Sequence, residues 1–440
     1  MRAHFAAVCI AIGFFGCSSD TTEDDGGTGG SSSTSSSSTG GAGDPWAKPE
    51  CADPNKPLGG TPDPRTKLAG GLSPEGLEMM VFGGDRSPAT CADPFPPRDM
   101  VGETWILDVA CGAWEQLNIA GPSARTRMYL AQDPARNQIL LFGGRFRAAG
   151  QTSGPYTPYN DLWAFDWETR TWGEITTQGD VPAPRYDGGA VIVGDELWIV
   201  GGNTSADGLN STPRGDAYAL DLNTNTWRLV SPDGSYPGRQ YHSAHYDADS
   251  GRIIVLDGDD SDIFNEVLLQ SWAYDIGSGQ WSELASAGAD VNERARFLGE
   301  AMFRPSGDAG GPALFTFMGH DVTPVGLRND VQRLDLGPSP TWTTVSAGDT
   351  FANPPNGMCD FPPDFVNTDL ASPERRQGFA IGTLPDGGAA VIVGGDSDCG
   401  RLNDAWWFNT GTGQWTPIRE TLSGLGCPRT GSTNCVSFCQ

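Results

Sequence analysis

The chain has 440 residues, a formal net charge of −27, and 60 Gly, 33 Pro and 14 Trp. That length is ample for a large core, and the acidity disfavours nucleic acid and anionic membranes as broad-surface partners. Many short apolar runs without long helical periodicity exclude a helical architecture and favour an all-β protein rich in turns.

Residues 1–16 have the pattern of an export signal. Arg2 supplies the charged start, and the apolar stretch from Phe5 to Phe15 is too short to span a bilayer. The run GFFGC ending at Cys17 resembles the lipobox of bacterial lipoproteins, in which the Cys is lipidated and becomes N-terminal. Ser18 resembles the outer-membrane sorting choice of that family. The resemblance implies a protein anchored by lipid in the cell envelope, at the outer membrane. Residues 17–63 then form a Ser-, Gly- and Pro-rich tether whose Ser/Gly part has no apolar content to repay ordering. Without Cys9 and Cys17, eight cysteines remain: Cys51, Cys91, Cys111, Cys359, Cys399, Cys427, Cys435 and Cys439. An even number in an exported chain implies disulfides.

Residues 64–422 are repetitive, and 423–440 form a Cys-containing tail. The stretch NDLWAFDWETRTW, ending at Trp172, recurs in variant form at Trp114, Trp227, Trp281, Trp342 and Trp415. Upstream of each copy, an apolar run closes on a small-residue pair: MMVFGG, ILLFGG, LWIVGG, IIVLDG, LFTFMG and AVIVGG. Each unit opens near an Arg: Arg65, Arg125, Arg185, Arg239, Arg296 (or Arg294) and Arg376 (or Arg375). This order predicts four strands per unit, a to d. The Gly pair ends strand b, the Asp ends strand c, and the Trp begins strand d. Gly permits a sharp exit, Asp accepts backbone hydrogen bonds at the following turn, and Trp fills space between units. In the sixth copy Asn409 replaces the Asp. Alone, such a unit is marginal, so units must stack.

The scheme of Arg, Gly pair, aromatic, Asp and Trp looks like the kelch repeat, whose copies form the blades of a β-propeller. The resemblance covers Arg65 to about Ile418 and implies a six-bladed propeller with four antiparallel strands per blade. Short a–b and c–d turns then lie on one face. The long segments 85–102, 145–159, 203–214, 259–268, 320–328 and 346–373 lie on the other, which makes it the expected binding face. The resemblance also places the six arginines around the channel mouth on that face, where guanidinium groups would suit a carboxylate or sulfate. The same topology implies the bonds Cys359–Cys399 and Cys51–Cys91, leaving Cys111 to pair with Cys427, Cys435 or Cys439.

Catalytic and metal signals are poor. His242 and His245 are three apart on a strand and point to opposite faces. The acidic run Asp257 to Asp262 lacks calcium-loop spacing. The ligand set of kelch-type copper oxidases resembling galactose oxidase is not matched, and no cofactor is expected. The reading is a monomeric binding module for a protein or a glycan, touching membrane only through its lipid. Two alternatives stay open. One is an enzyme on an acidic sugar, similar to kelch-type sialic acid mutarotases; the other is a structural envelope protein without a specific ligand.

Overall fold

Six sheets, each built on four antiparallel strands, stand around a central channel as the blades of a β-propeller. The computed structural model describes residues 44–87, 97–207, 210–260, 270–288, 296, 298–307, 310–322, 325–351, 365–366, 371–397 and 400–420. Strands a to d of blade one are Ala69–Leu72, Glu78–Phe82, Thr104–Asp108 and Ala113–Leu117. Blade two has Tyr129–Asp133, Gln138–Phe142, Leu162–Asp166 and Thr171–Ile175. Blade three has Gly189–Val193, Glu196–Val200, Ala217–Asp221 and Thr226–Ser231. Blade four has Ser243–Asp247, Arg252–Leu256, Trp272–Asp275 and Gln280–Glu283. Blade five has Glu300–Arg304, Ala313–Val322, Val325–Asp335 and Thr341–Ser346. Blade six has Ala380–Thr383, Ala389–Ser397, Gly400–Asn409 and Gln414–Arg419.

The sequence pattern explains the packing. Strand b lies between two others, with both faces against neighbouring blades, so it reads as a continuous apolar run. Met79, Met80, Val81 and Phe82 are all essentially buried. Strand d is outermost and buries chiefly its Trp. Trp172 meets Phe82 of the previous blade edge-on at 5.4 Å and donates its indole N–H to Thr104 at 2.9 Å. Trp227 meets Phe142 at 5.6 Å, and Trp415 meets Phe317 at 5.7 Å. Trp114, Trp172, Trp227, Trp342 and Trp415 are buried, while Trp281 is half-buried and stacks on Tyr236 at 4.0 Å.

Backbone bonds tie each blade to the next. The amide of the second residue of the Gly pair donates to the carbonyl of the next blade's Arg: Gly84 to Arg125, Gly144 to Arg185, Gly202 to Arg239 and Gly258 to Arg296. Gly395 donates to Arg65 at 2.9 Å, closing the ring from blade six to blade one. Gly202 has φ +91°, and a Cβ there would stand 1.7 Å from the Tyr129 hydroxyl, which is why the position takes glycine.

Two expectations need correction. The segment 320–328 is largely a continued hairpin rather than an irregular loop, since Gly319 pairs with Arg328 and His320 with Leu327. Cys51 is bonded to Cys111, not Cys91, so Cys111 is not free for the tail. The reason is the path of the lead. In blades three and five, Gln178–Gly179 and Ala287–Gly288 run parallel to the start of strand d, on the way in from the preceding blade. Leu58 takes the same course beside Trp114, whose amide donates to the Leu58 carbonyl at 2.9 Å. Residues upstream of it are therefore carried past the c–d turn of blade one. There Lys48 donates to the Ala110 carbonyl, Lys56 pairs with Asp108, and Cys51 meets Cys111. Cys17, Cys91, Cys359, Cys399, Cys427, Cys435 and Cys439 lie outside the described residues.

Candidate functional site

The six arginines are placed differently from expectation. Arg65, Arg125, Arg185, Arg239, Arg296 and Arg376 are all 2% exposed or less, and none lines the channel. Each guanidinium is spent inside its own blade, which is the correction to their role as channel-mouth ligands. It donates to the carbonyl of the first residue of the Gly pair, as Arg125 does to Gly143 at 3.1 Å and Arg376 to Gly394 at 2.9 Å. It also grips the acid that opens strand c. Arg185 takes both oxygens of Asp216 at 2.7 and 3.1 Å, Arg296 those of Asp330, and Arg376 those of Asp404. Arg125 holds Asp161 and Arg65 holds Glu103. In blade four Gln270 stands where the acid would be, and Arg239 donates to its backbone carbonyl. In blades one, two and six the Trp two residues after the acid completes the device, as Trp163 donates to Asp161 at 2.8 Å and Trp406 to Asp404 at 2.9 Å, and in blade five Gln332 does the same for Asp330. Sequence reasoning missed this acid, although it stands two residues before an aromatic in blades one, two, three and six.

The channel is bordered instead by the residue two positions after each Arg. These are Lys67, Arg127, Asp187, Tyr241, Leu298 and Gly378, and all six have left-handed backbone, with φ between 54° and 61°. Five of them are not glycine, so the conformation is strained at most positions. Hydrogen bonds running round the channel hold it. Lys67 N–H donates to the Gly378 carbonyl, Arg127 to Lys67, Asp187 to Arg127, Tyr241 to Asp187, and Gly378 to Leu298. Across the opening, Arg127 pairs with Asp187 at 2.5 Å and lies 4.8 Å over the Tyr241 ring. Below this ring, the inner strands enclose a cavity of about 490 Å³.

On the long-loop side, blades one to three gather cations around Tyr156. Arg145 lies over Tyr156 at 3.8 Å and over Tyr186 at 4.4 Å, and Arg147 covers the other approach to Tyr156 at 3.7 Å. Arg98 reaches Asp85 at 3.3 Å. Among the described residues, the buried Nε atoms of Arg98, Arg127, Arg145 and Arg147 have no hydrogen-bond partner. The local field is strongly positive. Burial alone would raise the Tyr156 phenol, yet Arg145, Arg98, Arg127 and Arg147 together bring it below its ordinary value. Burial first, then the neighbouring cation Arg127, pull the Lys67 ammonium down to about 7. Burial, with Arg98 and Arg145, also lowers Arg147. Asp85 and Asp187 answer only part of this charge, and Asp85 is shared with Arg401. The repeat pattern does not announce the cluster, because its members occupy unlike positions of different repeats.

Comparisons with known proteins agree with this architecture. The family description KLHDC2/KLHL20/DRC7 Kelch-repeats domain matches residues 46–258, and the Kelch motif matches 382–421. The chain is 25% identical over 241 residues to human Kelch domain-containing protein 10, covering 53% of this chain and 51% of that protein. It is 28% identical over 157 residues to Acyl-CoA-binding domain-containing protein 5 of Arabidopsis thaliana, covering 36% of this chain and 21% of the relative. It is 27% identical over 164 residues to the N-(sulfonatooxy)prop-2-enimidothioate sulfolyase of Thlaspi arvense, covering 36% and 45%. The matched stretch thus spans about half of these relatives or less. On its own repeats and on these likenesses, the chain carries kelch repeats folded as a six-bladed β-propeller.

Proposed function

We propose that this propeller is a binding module that takes an acidic protein or glycan partner on its long-loop face, with an anionic group seated against Lys67, Arg127, Arg145 and Arg147. The observation that carries the reading is the set of buried guanidinium Nε atoms around Tyr156 that have no partner among the described residues. Buried polar groups left unpaired are costly, and a carboxylate, sulfate or phosphate would pair them bidentately. In a chain of net charge −27, a local excess of cations is a directed feature rather than an average property. The sulfolyase relative is named for an anionic sulfonatooxy substrate, a chemistry such a mouth would suit. We further propose that Cys17 anchors the module by lipid at the outer membrane. A Cys17→Ser chain that still partitions with membranes would refute that anchor.

The binding reading is tested on glycan and peptide arrays graded by charge. Native chain should bind acidic members, less so as salt rises, and Arg145→Gln should lose about tenfold or more in affinity with an unchanged melt. Binding that ignores ligand charge, or that Arg145→Gln leaves intact, would overturn it.

A further inference from the structure

The cavity below the ring holds a second group without a counterpart. Glu300, at the start of strand a of blade five, lines the cavity, and its carboxyl makes no hydrogen bond or ion pair among the described residues. The one charged side chain acting on it among the described residues is Asp187, a like charge. Burial first, and Asp187 second, raise its carboxyl to about 8. Two aromatic residues, Tyr246 of blade four and Phe303 of blade five, line the same cavity.

We propose that the channel lumen is a ligand site separate from the long-loop mouth, in which Glu300 receives the ammonium group of a small organic amine. A carboxyl paired with no cation among the described residues supplies the missing half of an ion pair. Aromatic side chains on the wall of the same cavity favour an organic cation. A lone carboxylate offers too few oxygens for calcium or magnesium. The volume, about 490 Å³, is that of a small-molecule pocket. Inner strands pair on one edge only, so backbone amides and carbonyls on the other edge can orient a ligand. Gln132 already does this for the protein itself, bridging the backbones of Leu72 and Thr383. Entry is from the short-turn face, past Pro134 and Leu384, because Arg127, Asp187 and Tyr241 cross the opposite end. The inference does not rest on the partner proposed for the long-loop face.

The experiment is calorimetric titration of the full chain at pH 8.5 with phenethylammonium and with 2-phenylethanol, its neutral analogue of the same shape. The expected result is one-to-one binding of phenethylammonium, at least about tenfold tighter than 2-phenylethanol. Glu300→Gln should abolish that preference, and Arg145→Gln should leave it unchanged. No binding of phenethylammonium at millimolar concentration, or equal binding of both compounds, overturns the proposal without any variant having to fold. A preference that survives Glu300→Gln overturns it as well.

Discussion

At the scale of single residues, the same side-chain type does two jobs, and neighbours decide which. Arg185 is 1% exposed and bonded to both oxygens of Asp216, so removing either partner strands a buried charge. Arg185→Ala should cost roughly 3–5 kcal/mol in a urea melt, whereas Arg145→Gln, which removes no ion pair, should cost under about 1 kcal/mol. Equal losses would erase the distinction between wall and mouth. Glu300 gives a pH signature. An unfolded glutamate loses its proton near 4.5, while Glu300 keeps its own to about 8. Between those values the folded state is the better proton binder, so its contribution to stability is present below pH 4.5 and is lost as pH rises to 8. The native chain should therefore lose melting temperature against Glu300→Gln between pH 5 and 8. Parallel curves would show that Glu300 is not perturbed. Position by position, the Trp and Arg of each repeat were legible because they recur. The Lys67 to Gly378 ring was not, because what recurs there is a backbone conformation shared by six different residues.

At the scale of elements, the strands follow from local pattern, while the lead depends on the closed ring. Strand b is recognisable by its apolar run and glycine exit, and strand d by its Trp. The lead 44–60 carries no such pattern, yet it straps blade six to blade one. Asn409 shows how. Its side-chain oxygen accepts the turn amides of Gly411 and Thr412, the duty of Asp in other blades, such as Asp221 with Thr224. Its side-chain amide donates to Asp44 at 2.6 Å and to the Trp46 carbonyl at 2.9 Å, which an Asp could not do. The substitution that departs from the repeat is the one that receives the strap. Trp46 also donates to Asp386, and the Cys51–Cys111 bond fixes the far end. The bond links residues 60 apart, so Cys111→Ser should cost roughly 2–4 kcal/mol. Asn409→Asp should cost about 1–3 kcal/mol through the lost donations and the facing Asp44. Non-reducing peptide maps lacking a 51–111 link, or a fully stable Asn409→Asp chain, would contradict the strap.

At the scale of the whole molecule, six blades create one channel with two unlike ends. Blade six closes on blade one without exchanging a strand; the links are Gly395 to Arg65, Lys67 to Gly378, and a core shared by Leu68, Val81, Val391 and Val393. The long-loop end gathers positive charge and the lumen holds an unpaired carboxyl, so the two ends suit partners of opposite sign. The proposed partner sits on the long-loop face. Hydrogen–deuterium exchange of the native chain, with and without the tightest acidic ligand from the arrays, tests this most directly. Slowed exchange is expected in 97–101 and 145–159, with the short turns 168–171 and 223–226 unchanged. Protection confined to those short turns would contradict it.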